Sequence, residues 1–283
     1  MPGQPVVDVD VRGPVVAGTV LEMTCTSRDG HPPPRIRLFK GEEEVEVQEQ
    51  QKGNLTWARA AFKVAPQDNG VEIKCEVSNP ATSTPLTSHT TINILFPAWE
   101  VNTSSTPTKV EVGEAATLTC ESSPSLPPST LTWHSRGATL EGATTVHSPG
   151  LYGGTVTRSV LVVRPHADDN GRVFTCDADN GLGVTEGKNL TLDVLHGAIW
   201  VSAPTGTLKA NEGEELILTA VAAANPGPIR YIWRDGTAEI TSEGSAGGEL
   251  RLRKLRRHQS GNYSVIATSP KGSVSASFVL NIQ

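Results

Sequence analysis

One short pattern occurs three times along the 283-residue chain, and it limits the fold more than any other feature. Gly18-Thr-Val-Leu-Glu-Met-Thr-Cys25 reappears as Gly113-Glu-Ala-Ala-Thr-Leu-Thr-Cys120. It returns as Gly213-Glu-Glu-Leu-Ile-Leu-Thr-Ala220, with alanine in place of cysteine. Thirteen residues beyond each anchor stand Leu38, Trp133 and Trp233. Further on, Asp68-Asn69-Gly70-(x4)-Cys75 parallels Asp169-Asn170-Gly171-(x4)-Cys176, and the third copy reads Ser260-Gly261-Asn262-Tyr263-Ser264-Val265. A period of roughly 95 residues is far longer than a solenoid unit, so the copies are tandem domains.

Within each copy the apolar period is two. Leu21, Met23 and Cys25 alternate with polar neighbours, as do Ala116, Leu118 and Cys120, Ile73, Cys75 and Val77, and Phe174, Cys176 and Ala178. Turn pairs such as Asn69-Gly70, Asn180-Gly181, Asp235-Gly236 and Lys271-Gly272 punctuate the strands, and no segment of 12 residues keeps a helical stripe. In the second copy Cys-(x12)-Trp-(x42)-Cys is the immunoglobulin pattern: two sheets bridged from strand B to strand F, with a strand-C tryptophan on the sulfurs. The fold expected is all-β, three tandem immunoglobulin-like β-sandwich domains over 1–96, 97–195 and 196–283. Thr90–Leu95 closes the first domain and Phe96-Pro97-Ala98-Trp99 leads into the second; Asn189–Leu195 closes the second and His196 opens the third. Neither junction carries a long Gly/Ser linker, which predicts limited hinging and an elongated rod of roughly 110 Å.

Four cysteines could make two disulfides or one zinc site. Zinc needs clustered ligands such as C-x2-C, and these cysteines stand apart. Pairing Cys25 with Cys75 and Cys120 with Cys176 closes loops of about 50 residues, each worth roughly 4 kcal/mol in the chain-entropy picture. Such bonds persist in oxidising compartments, which places the parent protein at the cell surface or in the extracellular space. Four N-x-S/T sequons, at Asn54, Asn102, Asn189 and Asn262, agree with that location. Asn54 is read as lying between strands and Asn262 in the turn before strand F. Met1-Pro2-Gly3-Gln4 has neither the charge nor the apolar run of a secretory signal, so the chain is expected to be an ectodomain piece with an added start methionine.

Enzymatic chemistry finds no foothold. The seven histidines show no paired ligand spacing, and no nucleophile elbow or phosphate loop occurs. Gly181-Leu-Gly183 sits at a hairpin, and Asp168-Asp169-Asn170-Gly171 reads as a turn whose carboxylate caps backbone groups rather than as a calcium loop. No catalytic residue, metal or cofactor is expected. A net charge of −6 argues against nucleic acid, and no apolar stretch of 18 residues is present to span a membrane.

Two charged clusters are candidate contact surfaces. Arg251, Arg253, Lys254, Arg256 and Arg257 interleave with Leu250, Leu252 and Leu255. The arrangement reads either as a solvated strand E or as a patch for heparan sulfate or an acidic partner. Nine basic against seven acidic residues give 196–283 a charge of +2, while 1–96 and 97–195 carry −3 and −5. Glu42, Glu43, Glu44, Glu46 and Glu49 form an acidic rim on the first domain. The third core differs from the others, because Ala220 and Val265 replace both cysteines while Trp233 stays. Tyr263, two residues before the second cysteine position, matches a tyrosine corner. The third domain is expected to be the least stable.

The Leu95-Phe96-Pro97 junction, the Asp-Asn-Gly-(x4)-Cys turns, Arg158-Ser-Val-Leu161 and Ala224-Asn225-Pro226 together give the chain its likeness to a family. It resembles the inner ectodomain repeats of nephrin-like immunoglobulin adhesion receptors, of the nephrin, Sticks-and-stones and Hibris type. The missing pair of cysteines in the third domain departs from the general immunoglobulin pattern. The resemblance implies a single-pass cell-surface receptor engaging Neph/Kirre-type immunoglobulin partners or its own kind, with these inner repeats acting mainly as spacers. Two alternatives remain open at this point: a matrix-associated immunoglobulin protein binding sulfated glycans, and the ectodomain of a signalling receptor enzyme.

Overall fold

The computed structural model describes residue 2, residues 6–9, 13–240 and 245–283. Met1, Gly3 and Gln4 of the start segment lie outside the described residues. Strands dominate, and the helical pieces among the described residues are single 3₁₀ turns such as Pro66–Asp68 and Ala167–Asp169. The chain forms two compact units, residues 1–103 with 119–161 and 175–189, and residues 104–118 with 162–174 and 190–283.

The first unit opens with a two-sheet sandwich. One sheet runs Val6–Val9, Val20–Arg28, Leu55–Lys63, Gln48–Lys52, and the other Glu43–Val45, Arg35–Lys40, Glu72–Ser78, Leu86–Thr91. Period two decides the core: Leu21, Met23, Cys25, Leu38, Ile73, Cys75 and Val77 are all fully buried, while their neighbours, apart from the buried Phe39, are half-buried or exposed. The closing segment read as one strand, Thr90–Leu95, is divided. Leu86–Thr91 pairs antiparallel with Glu72–Ser78, then Ile94–Leu95 moves to Val15–Val16 in parallel register. The change of partner makes a separate two-stranded sheet with Val15–Val16, where Val15 N–H donates to Asn93 O and Ala17 N–H to Leu95 O. In the same unit Thr130–Ser135 pairs with the Val173–Asp179 strand and sets Trp133 opposite Cys176.

The second unit holds the disulfide-free sandwich. Gly206–Ala210, Gly272–Ile282, Gly261–Ser269, Arg230–Asp235 and Ala238–Glu239 make one sheet; Leu216–Thr219, Glu249–Leu252 and Ser245–Ala246 make the other. The boundary expected at 195/196 falls inside one ten-residue strand, Asp193–Ser202. Asp193, Val194 and Leu195 pair in parallel with Lys109–Glu111, and the rest of the strand pairs with Val221–Asn225. Alternation carries straight through, with Val194, His196 and Ala198 buried, so nothing in the local pattern calls for a turn. Gly197 permits the close approach: a Cβ there would stand 3.0 Å from Lys271 O and 3.2 Å from Gly272 Cα.

Candidate interaction surfaces

The scaffold behind the surfaces is set by three differently built cores. Cys25–Cys75 and Cys120–Cys176 are disulfides with Cα separations of 6.3 and 6.4 Å. The indole N–H of Trp133 donates to Ser159 Oγ at 3.2 Å, giving the buried Ser159 of the Arg158–Leu161 motif its task. Leu38 takes the tryptophan position in the first sandwich and faces Cys75 in the ladder. In the third, Ala220 and Val265 are 2% and 0% exposed and pack beside Trp233, which lies opposite Val265. Here the buried Trp233 Nε1 has no hydrogen-bond partner among the described residues. A buried donor left unmatched costs about 1–3 kcal/mol. Tyr263 compensates: its hydroxyl donates to Gln259 O at 2.9 Å, closing a tyrosine corner, and its ring stacks on Phe278 at 5.6 Å. Burial pushes the phenol up to about 12, with nearby Asp235 adding to the shift.

The Asp-Asn-Gly turns do more than punctuate the chain. Asp68 and Asp169 accept from the backbone N–H groups of Ala65 and His166; for Asp169 this is the capping role read from the sequence, and Asp68 repeats it in the first copy. The asparagines reach further. Asn69 Oδ1 accepts from Ile94 N–H and its Nδ2 donates to Tyr152 O at 2.8 Å. Asn170 Oδ1 likewise accepts from Val194 N–H, and also from Asn225 Nδ2 at 3.2 Å. Asn225 completes this knot by donating to Asp193 Oδ1 at 2.6 Å and Val194 O at 2.9 Å. Lys271 pairs with Glu111 in the same unit. In the first unit Asn180 Nδ2 donates to Phe96 O and Pro127 O, and Thr185 Oγ1 donates to Ala98 O. Sequence reasoning used Asn69 and Asn170 as repeat and turn markers and Asn225 as a mark of family likeness. Their recurrence beside Gly and Pro was the available signal for their structural work.

The four sequon asparagines are all exposed. Asn54 lies in the turn between Gln48–Lys52 and Leu55–Lys63, with its amide donating to Asp29 Oδ1 at 2.9 Å. Asn102 is on the Val101–Thr106 strand, and Asn189 is beside it, since Thr103 Oγ1 donates to Lys188 O. Asn262 is corrected from a turn to the second residue of the Gly261–Ser269 strand, because the ladder to Gly272–Ile282 begins at Gly261.

The basic cluster is also corrected. The strand ends at Leu252; Arg253, Lys254 and Arg256 lie in the connection, and Arg257 begins a 3₁₀ turn. Leu255 causes the departure, being drawn to zero exposure while Lys254 takes φ +51°. Acidic groups face the cations. Arg251 and Arg253 reach Glu215 at 3.8 and 3.5 Å, Arg251 reaches Glu249 at 3.2 Å, and Arg256 and Arg257 meet Glu212 at 4.0 and 3.4 Å. Three carboxylates therefore mute the cluster. On the acidic rim, Arg37 binds Glu44 through two nitrogens and holds its carboxyl below the usual range, while Glu49 accepts from Ile36 N–H. An apolar groove of about 410 Å³ beside Phe96, Pro97 and the half-exposed Trp99 completes the surface features of the first unit.

Comparison with known proteins agrees with this architecture. The CD80-like C2-set immunoglobulin domain matches residues 5–85 and 100–186, and a further immunoglobulin domain matches 199–269. Nephrin of Mus musculus is 29% identical over 85% of the chain, and myelin-associated glycoprotein of Homo sapiens is 26% identical over 95%. The chain spans 20% of the length of the first and 42% of the second. The full three-domain ectodomain of mouse nectin-like molecule 4 superposes with a TM-score of 0.68 at 19% identity, covering 95% of this chain and 96% of that one. With three successive matches, two disulfide-bridged cores and a tyrosine corner in the third, the chain belongs to the immunoglobulin superfamily, with C2-set domains over 5–85 and 100–186 and a further immunoglobulin domain over 199–269, and is similar to nephrin.

Proposed function

We propose that the chain is an extracellular segment of a cell-surface adhesion receptor, recognising or spacing immunoglobulin-superfamily partners on facing cells. The likeness to nephrin along 85% of the chain carries this reading, and the disulfide-bridged sandwiches support it. The working parts are domains at 1–96, 97–195 and 196–283, with the strand Asp193–Ser202 common to the last two. The parent protein is single-pass, and the segment is a binding module rather than an enzyme. The finer partner is of Neph/Kirre type or a second copy of the same receptor. Sugars at Asn54, Asn102, Asn189 and Asn262 leave the remaining strand faces for protein contact. Sulfated glycans are the second reading, favoured by Arg253 and Arg257, whose side chains are each 74% exposed.

The test uses beads coated with the 283-residue chain and, separately, cells expressing the parent receptor with and without this segment. Binding to cells displaying immunoglobulin partners supports recognition. Altered membrane separation with adhesion retained supports spacing. If coated beads stay dispersed and unbound, and removing the segment changes neither adhesion nor spacing, the reading is wrong.

A further inference from the structure

The outer face of the third sandwich carries a shallow hollow of about 570 Å³, and a sequon asparagine opens onto it. Asn262 and Ser264 are two residues apart on one strand, so both project to the same side of the sheet. The ladders place Asn262 opposite Val279, and Val279 opposite Thr207 on the next strand. Asn262, Val279 and Thr207 thus form a row across three strands. Val279 is an apolar side chain left 40% exposed in the middle of that row. Gly206 and Gly236 border the hollow, and a Cβ at either would meet nothing within 4 Å. The Asn262 backbone is held by Gly236 N–H, which donates to its carbonyl at 2.8 Å. The same sandwich lacks a disulfide and buries an unmatched indole N–H.

We propose that this hollow is the seat of an N-linked glycan carried by Asn262, whose core sugars lie over Val279 toward Thr207 and stabilise the disulfide-free sandwich. The proposal rests on the extracellular reading above. Attachment joins Asn262 Nδ2 to the anomeric carbon of the first N-acetylglucosamine. The bond from that carbon to a polyprenyl diphosphate donor breaks, the amide nitrogen gives up one proton, and the carrier leaves as the diphosphate. Two inter-strand steps of roughly 4.8 Å each reach from Asn262 to Thr207, about the length of a disaccharide. The apolar face of the sugar ring covers Val279, and its hydroxyls meet the Thr207, Ser264 and Ser277 side of the hollow. Asn54 offers a contrast, since it lies on a turn and donates to Asp29. The occupied face is consequently withdrawn from protein docking.

The experiment expresses the full chain in a mammalian secretory system, maps site occupancy by glycopeptide mass spectrometry and follows the lowest melting transition. Asn262 should be occupied. Asn262→Gln should lower that transition by about 5 °C, whereas Asn54→Gln should leave it in place. Trimming the folded protein to its core sugars should preserve the transition, and releasing the whole glycan, which leaves aspartate, should reproduce the fall even if Asn262→Gln is poorly secreted. Val279→Ser should cost more in the glycosylated chain than in the glycan-free one. An unoccupied Asn262 beside other occupied sequons refutes the seat alone. Four unoccupied sequons also undercut the extracellular reading. Occupancy without any selective thermal effect refutes the seat while leaving that reading intact.

Discussion

The double substitution Ala220→Cys with Val265→Cys asks whether the third sandwich kept the geometry of a disulfide after losing its sulfurs. Both positions are buried, and Val265 faces Trp233 as Cys176 faces Trp133. The residues are 45 apart in sequence, close to the separations of 50 and 56 in the native bridges. Closing such a loop removes entropy from the unfolded chain worth about 4 kcal/mol. Exchanging the buried valine for cysteine returns about 1 kcal/mol of that through lost packing. A net gain of about 3 kcal/mol corresponds to a rise of about 15 °C in a domain of this size. Calorimetry of the full chain should show its lowest transition moving upward, with the cross-link between positions 220 and 265 confirmed by peptide mass mapping. A formed bridge with no rise would refute the idea that the missing disulfide limits this sandwich. Two thiols that stay apart would refute the retained geometry, and would point to the break between Leu216–Thr219 and Val221–Asn225 as its cause.

Tyr263→Phe should cost about 1–2 kcal/mol by removing the donor to Gln259 O, read as a lower urea midpoint in tryptophan fluorescence. The folded phenol keeps its proton to about pH 12 while the unfolded one releases it near 10, so stability is retained below pH 10 and lost as pH rises through this window. Tyr263→Phe should abolish that slope; an unchanged alkaline slope would exclude Tyr263 as its source. Asn225→Ala removes the donor to Asp193, Val194 and Asn170, and hydrogen exchange across Asp193–Ser202 should quicken about tenfold. Unaltered exchange there would show that the ladder alone holds the strand. Because Glu212 and Glu215 face the basic cluster, the chain should elute from heparin below physiological ionic strength, with Glu212→Lys and Glu215→Lys increasing retention. Strong retention of the native chain that collapses on reversing Arg253 and Arg256 to glutamate would instead favour the sulfated-glycan reading.

The motifs differ in how far they could be read from sequence. Asp169 acts locally, three residues from the N–H it caps, so its turn could be assigned from sequence, and Asp68 does the same at the matching position of the first copy. Asn225 acts across 55 residues on Asn170, and no local rule reports such a partner. The basic cluster looked continuous because Leu250, Leu252 and Leu255 resembled one alternating run. The break in spacing between Leu252 and Leu255 was visible, but its consequence depended on Leu255 finding a core position. Glu212 and Glu215 were equally visible as residues, yet they stand far along the chain from the arginines they face.

The sequence by itself determined three sandwiches, two cores with cysteines and one without, since repeat spacing and period-two burial are properties of the chain and of strand geometry. Tertiary structure alone decided that Asp193–Ser202 runs unbroken past residue 195, that acidic groups mute the basic cluster, and that Asn262, Val279 and Thr207 share one row. Each of these depends on which strand lies beside which, and neighbours in a sheet are chosen by the whole fold rather than by the residues adjoining them in the chain.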